Sequence, residues 1–248
     1  MRLGATLTHL SAAPPYATAR WARRLVEAGF ASLWTPEVVA RGPFVPDPFV
    51  TLAVAATAIA DVELGTATVQ VPLHHPVELA HRVLSLAAVA GDRLVLGVSP
   101  GSTRADYAAL DRDHAGRFAA FGRDVARLRV LLAHGRDDDA ALDPAGVPGL
   151  RLLLGSWGAN VERAAREFDG WLAADHRRSA DEIVAALGRF RAAGGGRAIV
   201  CAVRLSCPED LAPARERLAR YAEAGFDDAV VAIEPGGPEP EDVRALVP

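Results

Sequence analysis

The chain has 248 residues, half of them apolar, with a net charge of −4 and 27 basic residues that are all arginine. That balance argues against a nucleic-acid or anionic-membrane partner, and the absence of lysine rules out Schiff-base catalysis and a phosphate-loop lysine. The length suits two small domains or one large α/β unit, and the apolar half is enough for a sizeable core.

Cys201 and Cys207 have neither CxxC spacing nor an accompanying His pair, which reads as a reduced cytosolic protein. The chain opens directly into a strand with no charged and apolar leader, and no apolar run approaches the ~18 residues of a membrane span. A soluble, untargeted, cytoplasmic protein is expected.

In chain order, Arg2 to Thr8 reads as a strand and Tyr16 to Ala28 as a helix whose Trp21, Leu25 and Ala28 share a face. Ala31 to Thr35 is a second strand. Asp47 and Pro48 then open a helix that runs from Phe49 to Ala60, an acidic cap followed by proline at the first position. Glu63 to Val71, rich in Thr and Val, is a third strand that Pro72 ends. Pro76 starts a helix carrying Val77, Ala80, Val83, Leu84 and Ala87, Gly91 closes it, and Arg93 to Val98 is an apolar run suited to a buried parallel sheet.

Ala115 to Ala133 is the fourth helix, with Phe118, Phe121, Val125, Leu128 and Leu132 at helical spacing. His134 to Gly149 is polar and turn-rich and reads as a loop, with the Asp137-Asp138-Asp139 run solvated. Beyond it come strands at Leu150 to Leu154, Gly170 to Ala174, Arg197 to Leu205 and Asp228 to Ile233. Helices at Ala159 to Phe168, Ser179 to Ala193, Pro208 to Ala224 and Glu239 to Leu246 alternate with them. Eight strands alternating with eight helices, without a break in composition, predict one closed (β/α)₈ TIM barrel over residues 1–248, with a short loop insertion at 134–149. In such a barrel the chemistry sits at the C-terminal ends of the strands.

Gly155-Ser156-Trp157-Gly158 joins a strand directly to a helix, so its backbone N–H groups form a candidate anion site or simply a tight glycine turn. The Ser99 to Arg104 loop adds hydroxyls and a guanidinium near the same rim, which favours a phosphate-bearing ligand. Gly97-Val98-Ser99-Pro100-Gly101 also matches the nucleophile elbow of serine hydrolases. Pro100, however, lacks the N–H that such an elbow contributes to its oxyanion hole. His74, His75, Glu78 and His81 do not follow a zinc spacing, and no metal is expected. His9 follows the first strand and is the one candidate general acid or base; a packed or solvated ring is the alternative. Asp175-His176 reads equally as a helix cap with a solvated neighbour. Trp34 and Trp171 read as core, whereas Trp157 has no evident packing need and reads as a ligand contact or a plug.

Five segments resemble the luciferase-like flavin or deazaflavin dependent oxidoreductases: GFASLWTPE at 29–37, LGTATVQVPLHHPVELAHRVLSLAAVAGDRLVLGVSPG at 64–101, GRFAAFGRDVARLRVLL at 116–132, LLLGSWGANVERAAREFDGWLAA at 152–174 and RLARYAEAGFDDAVV at 217–231. The resemblance implies a (β/α)₈ barrel with flavin mononucleotide (FMN) or a deazaflavin coenzyme of the F-420 type lying over its mouth. Behind the ring it implies a bulged turn at Thr66, Ala67 and Thr68. It implies a cofactor phosphate near Gly155, Ser156, Trp157 and Gly158, helped by Ser99 and Gly101, and an acidic residue near the ring, Glu37. It also implies a small organic substrate and a homodimer. The sequence departs from the pattern at Val38, where histidine is common, at His74, where arginine is common, and at Trp157, where glycine is usual. The segment that covers substrate in larger members is shortened here to the 134–149 tract. An oxidoreductase is therefore expected first, and a degenerate, non-catalytic barrel serving as a binding or partner subunit second.

Overall fold

The computed structural model describes residues 1–7, 17–42, 44–142, 147 and 149–247. Strands β1 (Arg2–Thr6), β2 (Ser32–Thr35), β3 (Glu63–Thr66), β4 (Val69–Gln70), β5 (Leu94–Ser99), β6 (Arg151–Gly155), β7 (Gly170–Ala174), β8 (Arg197–Leu205) and β9 (Asp228–Ile233) pair in parallel throughout. The order β3-β2-β1-β9-β8-β7-β6-β5-β4 closes on itself through the β3 to β5 pairing. β3 and β4 are two halves of one barrel strand, separated by Ala67 and Thr68, whose peptide bond is cis. The result is an eight-stranded closed parallel barrel, as the alternation of strands and helices predicts.

Helices α1 (Thr18–Glu27), α2 (Pro48–Ala58), α3 (Pro76–Ala90), α4 (Arg104–Ala109), α5 (Arg117–His134), α6 (Asn160–Glu167), α7 (Ala180–Ala192), α8 (Leu211–Ala224) and α9 (Pro240–Arg244) surround it. Asp47 caps α2 by accepting from the N–H groups of Phe49 at 2.8 Å and Val50 at 3.1 Å, with Pro48 inside the first turn. Ser179 and Glu182 form a capping box at the start of α7. The short helix α4 is missed by sequence reasoning, since its single apolar anchor, Tyr107, gives too little periodicity to detect.

Three further expectations need correction. Phe118 is 48% exposed and lies outside the buried stripe of α5, beneath the Arg117 guanidinium instead of in the core. Asp137 is not merely solvated: it accepts from Arg127 Nε at 2.6 Å and from the N–H groups of Asp139 and Ala140. Asp175 is buried rather than a helix cap.

Strand alternation sorts the core into two parts. Outward residues such as Leu33, Leu96, Leu154, Trp171 and Val231 pack under the helices. Inward residues Trp34, Val95, Leu153, Leu172, Ile199, Cys201 and Val230 fill the barrel interior. Trp34 occupies the space that Gly65 leaves empty, because a Cβ on Gly65 would lie 2.3 Å from the indole. Below this layer, at the first residues of the strands, Arg197 donates to Glu63 at 2.6 and 3.0 Å and to Asp228 at 2.8 Å. Arg151 reaches Glu63 from the side. Burial alone would lower the Arg197 pKa, but the bonds from Glu63 and Asp228 outweigh it and raise it above its ordinary value.

Candidate functional site at the barrel mouth

Above the Trp34 layer the inward positions become small. Ala67, Ser99, Gly155, Ala174 and Ala232 occupy the upper end of their strands, so the mouth is a bowl of small side chains over an apolar floor. The Thr6 Oγ1 is buried there and has no hydrogen-bond partner among the described residues. Buried hydroxyls are rarely left so, and this one is available to a ligand.

The β3 to β4 turn is tied down from several directions. Thr66 Oγ1 donates to the Gly97 carbonyl at 2.8 Å, and Thr68 Oγ1 donates to Ser99 Oγ at 2.7 Å. Ser99 Oγ also accepts from the Gly101 N–H at 3.2 Å, and no histidine among the described residues touches it. Ser99 is thus a positioned hydroxyl without a base, which fits a binding role and leaves serine hydrolysis unsupported. Gly101 adopts φ +68, and a Cβ there would lie 2.6 Å from Gln70 Oε1, so glycine is required where the β5 loop closes over β4. Tyr107 secures the same loop by donating to the Pro100 carbonyl at 2.6 Å, and burial pushes its pKa up to about 12.

Glu37 is buried, and both of its oxygens are engaged. Oε2 accepts from the Gln70 N–H at 2.7 Å, and Oε1 lies 2.7 Å from His74 Nε2. Arg82 stands 3.5 Å from His74 Nδ1 and also pairs with Asp47. Because a guanidinium only donates, Nδ1 is the acceptor and Nε2 carries the proton given to Glu37. On its other side Gln70 donates to Asp106, which in turn accepts from the Ala40 N–H and faces Arg41.

At the β6 to α6 turn, the N–H groups of Trp157, Gly158 and Ala159 have no acceptor among the described residues, while the Ser156 carbonyl accepts from Trp171 Nε1 at 3.1 Å. Gly155 lies against Thr68, leaving 2.6 Å between an added Cβ and the Thr68 methyl. A Cβ on Gly158, by contrast, would meet nothing within 4 Å. Open amides beside an uncrowded glycine make a cradle for an anion. Trp157 does not plug it: the indole packs on Trp171, which is an outward residue of β7, at 6.1 Å between centroids, with the Arg178 guanidinium 4.7 Å above it. Its packing need, unseen in the sequence, is met by the layer under the helices.

Thus Glu37, Thr66, Ala67, Thr68, Ser99 and Gly101 are joined around one turn, and Gly155 to Gly158 lie beside them on the next strand. His9 lies outside the described residues. Sequence reasoning passed over Thr6, Gln70 and Asp106, and it read His176 only as the solvated neighbour of a cap. On β7, Leu172 faces inward and Asp175 turns outward to Tyr221 and Arg217 of α8. The only signal for His176 was its place at the end of a barrel strand. Arg177 Nε donates to His176 Nε2 at 3.2 Å. Burial lowers the His176 pKa, and Arg177, Arg204 and Arg41 lower it further.

A closed parallel barrel with small residues and open amides at its mouth belongs to the class whose chemistry sits at the C-terminal ends of the strands. The model of the luciferase-like monooxygenase family matches residues 2–238, and the chain belongs to that family. It is similar to the 4-hydroxyprotoasukamycin monooxygenase of Streptomyces nodosus subsp. asukaensis, at 35% identity over 37% of this chain; the match spans 25% of that relative's length. Among solved structures it resembles an F420-dependent secondary alcohol dehydrogenase in complex with an F420-acetone adduct (TM-score 0.79, 13% identity, 100% of this chain and 98% of that one). It also resembles the FMN-bound oxygenating constituent of 3,6-diketocamphane monooxygenase from Pseudomonas putida (TM-score 0.68, 15% identity, 92% and 80%). At these identities the structural likeness establishes the fold. Among the described residues no helix is long and apolar enough to cross a membrane.

Proposed function

We propose that the chain is an oxidoreductase that binds FMN or a deazaflavin coenzyme at the barrel mouth and acts on a small organic substrate. The observation that carries this reading is the set of Trp157, Gly158 and Ala159 amides, without acceptors among the described residues, beside a mouth lined by small residues over an apolar floor. The residues fit such a cofactor: a flat ring needs a smooth apolar floor, a phosphate needs convergent donors, and the Thr6 hydroxyl lacks a partner among the described residues. When bound, the ring supplies the redox chemistry, as hydride transfer or oxygen activation.

The chain's own residues do the rest. The amides of the β6 to α6 turn and the Ser99 hydroxyl hold the phosphate, and Thr68 fixes the Ser99 rotamer. Ala67 and Thr68 support the ring, Glu37 holds that turn through the Gln70 N–H, and the Trp34 layer keeps water out from below. The neighbours' bound groups, F420 in one and FMN in the other, agree with both candidate cofactors.

Titration of the purified protein with FMN and with the deazaflavin coenzyme, followed by fluorescence, tests the reading. Saturable micromolar binding of one of them is expected. Because Trp157 packs away from the mouth, Trp157→Gly should not tighten that binding. Failure of both cofactors to bind would favour the non-catalytic reading, and tighter binding by the glycine variant would return Trp157 to the mouth.

A further inference from the structure

The rim of the mouth that runs on from the phosphate cradle, over β7 and β8, is cationic, and three loops build it. On β8, Ile199 and Cys201 face inward, but a register shift follows, with Ala202 at φ +63. Beyond the shift Val203 and Leu205 turn outward, so Arg204 is the residue that faces the mouth. Ala174 lies opposite Cys201, which places the His176 and Arg177 segment level with Arg204. Arg41, from the loop after β2, reaches across to Thr103 and Asp106.

The charges do not cancel. Asp106 faces Arg41, and Glu234 stands 3.7 Å from Arg204, too far for a firm pair. Asp175, the carboxylate beside His176 in sequence, is committed to Tyr221 at 2.5 Å and Arg217 at 2.8 Å. Arg177 has no carboxylate partner among the described residues and spends its Nε–H on His176. Accepting that hydrogen bond keeps His176 Nε2 unprotonated, so the ring itself is neutral with its proton on Nδ1. The rim thus carries one uncompensated guanidinium beside a second that is loosely paired, at the edge of an apolar bowl.

We infer that this rim selects a substrate bearing a single oxyanion, a carboxylate above all, held by Arg177 and Arg204 while the apolar remainder of the molecule lies in the bowl. Guanidinium groups match carboxylates in planarity and donor spacing, and a low-dielectric floor strengthens the attraction. The inference rests on the barrel-mouth reading given above and names its substrate class.

Benzoate and its neutral isostere benzamide serve as probes, titrated calorimetrically into the protein with and without saturating cofactor. The His176 ring signals are followed by NMR in parallel. Benzoate should bind at least about tenfold more tightly than benzamide and shift the His176 resonances. Arg177→Gln and Arg204→Gln should each weaken benzoate about tenfold while leaving benzamide and cofactor affinities unchanged, and Arg177→Lys should recover part of the loss. Equal affinity for the two probes would overturn the proposal, as would benzoate affinity indifferent to both substitutions. Loss of cofactor affinity in the glutamine variants would overturn it too, by assigning the arginines to the cofactor. If neither cofactor binds but benzoate behaves as described, the redox reading fails alone and the oxyanion rim stands. Both arginines are exposed, and thermal melting confirms that the variants are folded.

Discussion

Glu37 shows how a single carboxylate can be drawn away from chemistry. Its two oxygens are taken by the Gln70 N–H and His74 Nε2, so its work is to hold the β3 to β4 turn in place. The family resemblance drew attention to the residue, but its partners come from 33 and 37 positions away and follow from no local pattern. His176 is the opposite case, a side chain at a strand end whose role depends on its surroundings. Its folded pKa lies below its ordinary value of 6.5, so between those two values the unfolded chain binds the extra proton. Stability from this residue is therefore present above 6.5 and is lost as pH falls toward the folded value. Urea midpoints measured from pH 8 down to pH 5 should fall less steeply in His176→Gln than in the parent; parallel curves would show that the ring titrates alike in both states.

Among the elements, helices with explicit end signals or a sustained apolar stripe were readable, and the short α4, which has neither, was not. Asp47-Pro48 announces α2, and the cap forms as expected from the two residues alone. Asp47→Ala should cost about 1–2 kcal/mol in a denaturant melt, since two amide donors lose their acceptor. Asp47→Asn keeps the acceptor and loses only the pairing with Arg82, so most of the stability should return; an equal loss in both variants would assign the effect to the ion pair. Helix α4 has no such signal, and Phe118 sits on α5 at a spacing that fits the apolar stripe but at its solvent edge. Spacing counts residues along a helix and does not say how wide the buried face is. The β8 irregularity is likewise silent in the sequence Val200-Cys201-Ala202-Val203, yet it decides that Arg204 faces the mouth.

At the scale of the whole molecule, barrel closure brings together groups that start strands far apart in the chain. Arg197 binds Glu63 across 134 residues and Asp228 across 31. These groups lie at the bottom of the barrel, away from the proposed site, and Arg197→Met would remove the buried cation that the two carboxylates share, leaving each only a more exposed partner, Arg151 for Glu63 and Arg2 for Asp228. A loss of about 3–5 kcal/mol is expected in urea unfolding, with cofactor affinity unchanged in the protein that remains folded. A loss under about 1 kcal/mol would mean that Arg2 and Arg151 suffice for Glu63 and Asp228. By itself the sequence determined the alternation of strands and helices, the barrel they close, the caps at Asp47 and Ser179, and the family, because these depend on short-range periodicity and on motifs that survive as strings of residues. Only the tertiary structure decided that Trp157 packs beneath the helices, that Glu37 is occupied by His74 and Gln70, and that Arg177 and Arg204 share a rim. Side-chain direction at a strand end is set by register, and register is fixed only when the barrel closes.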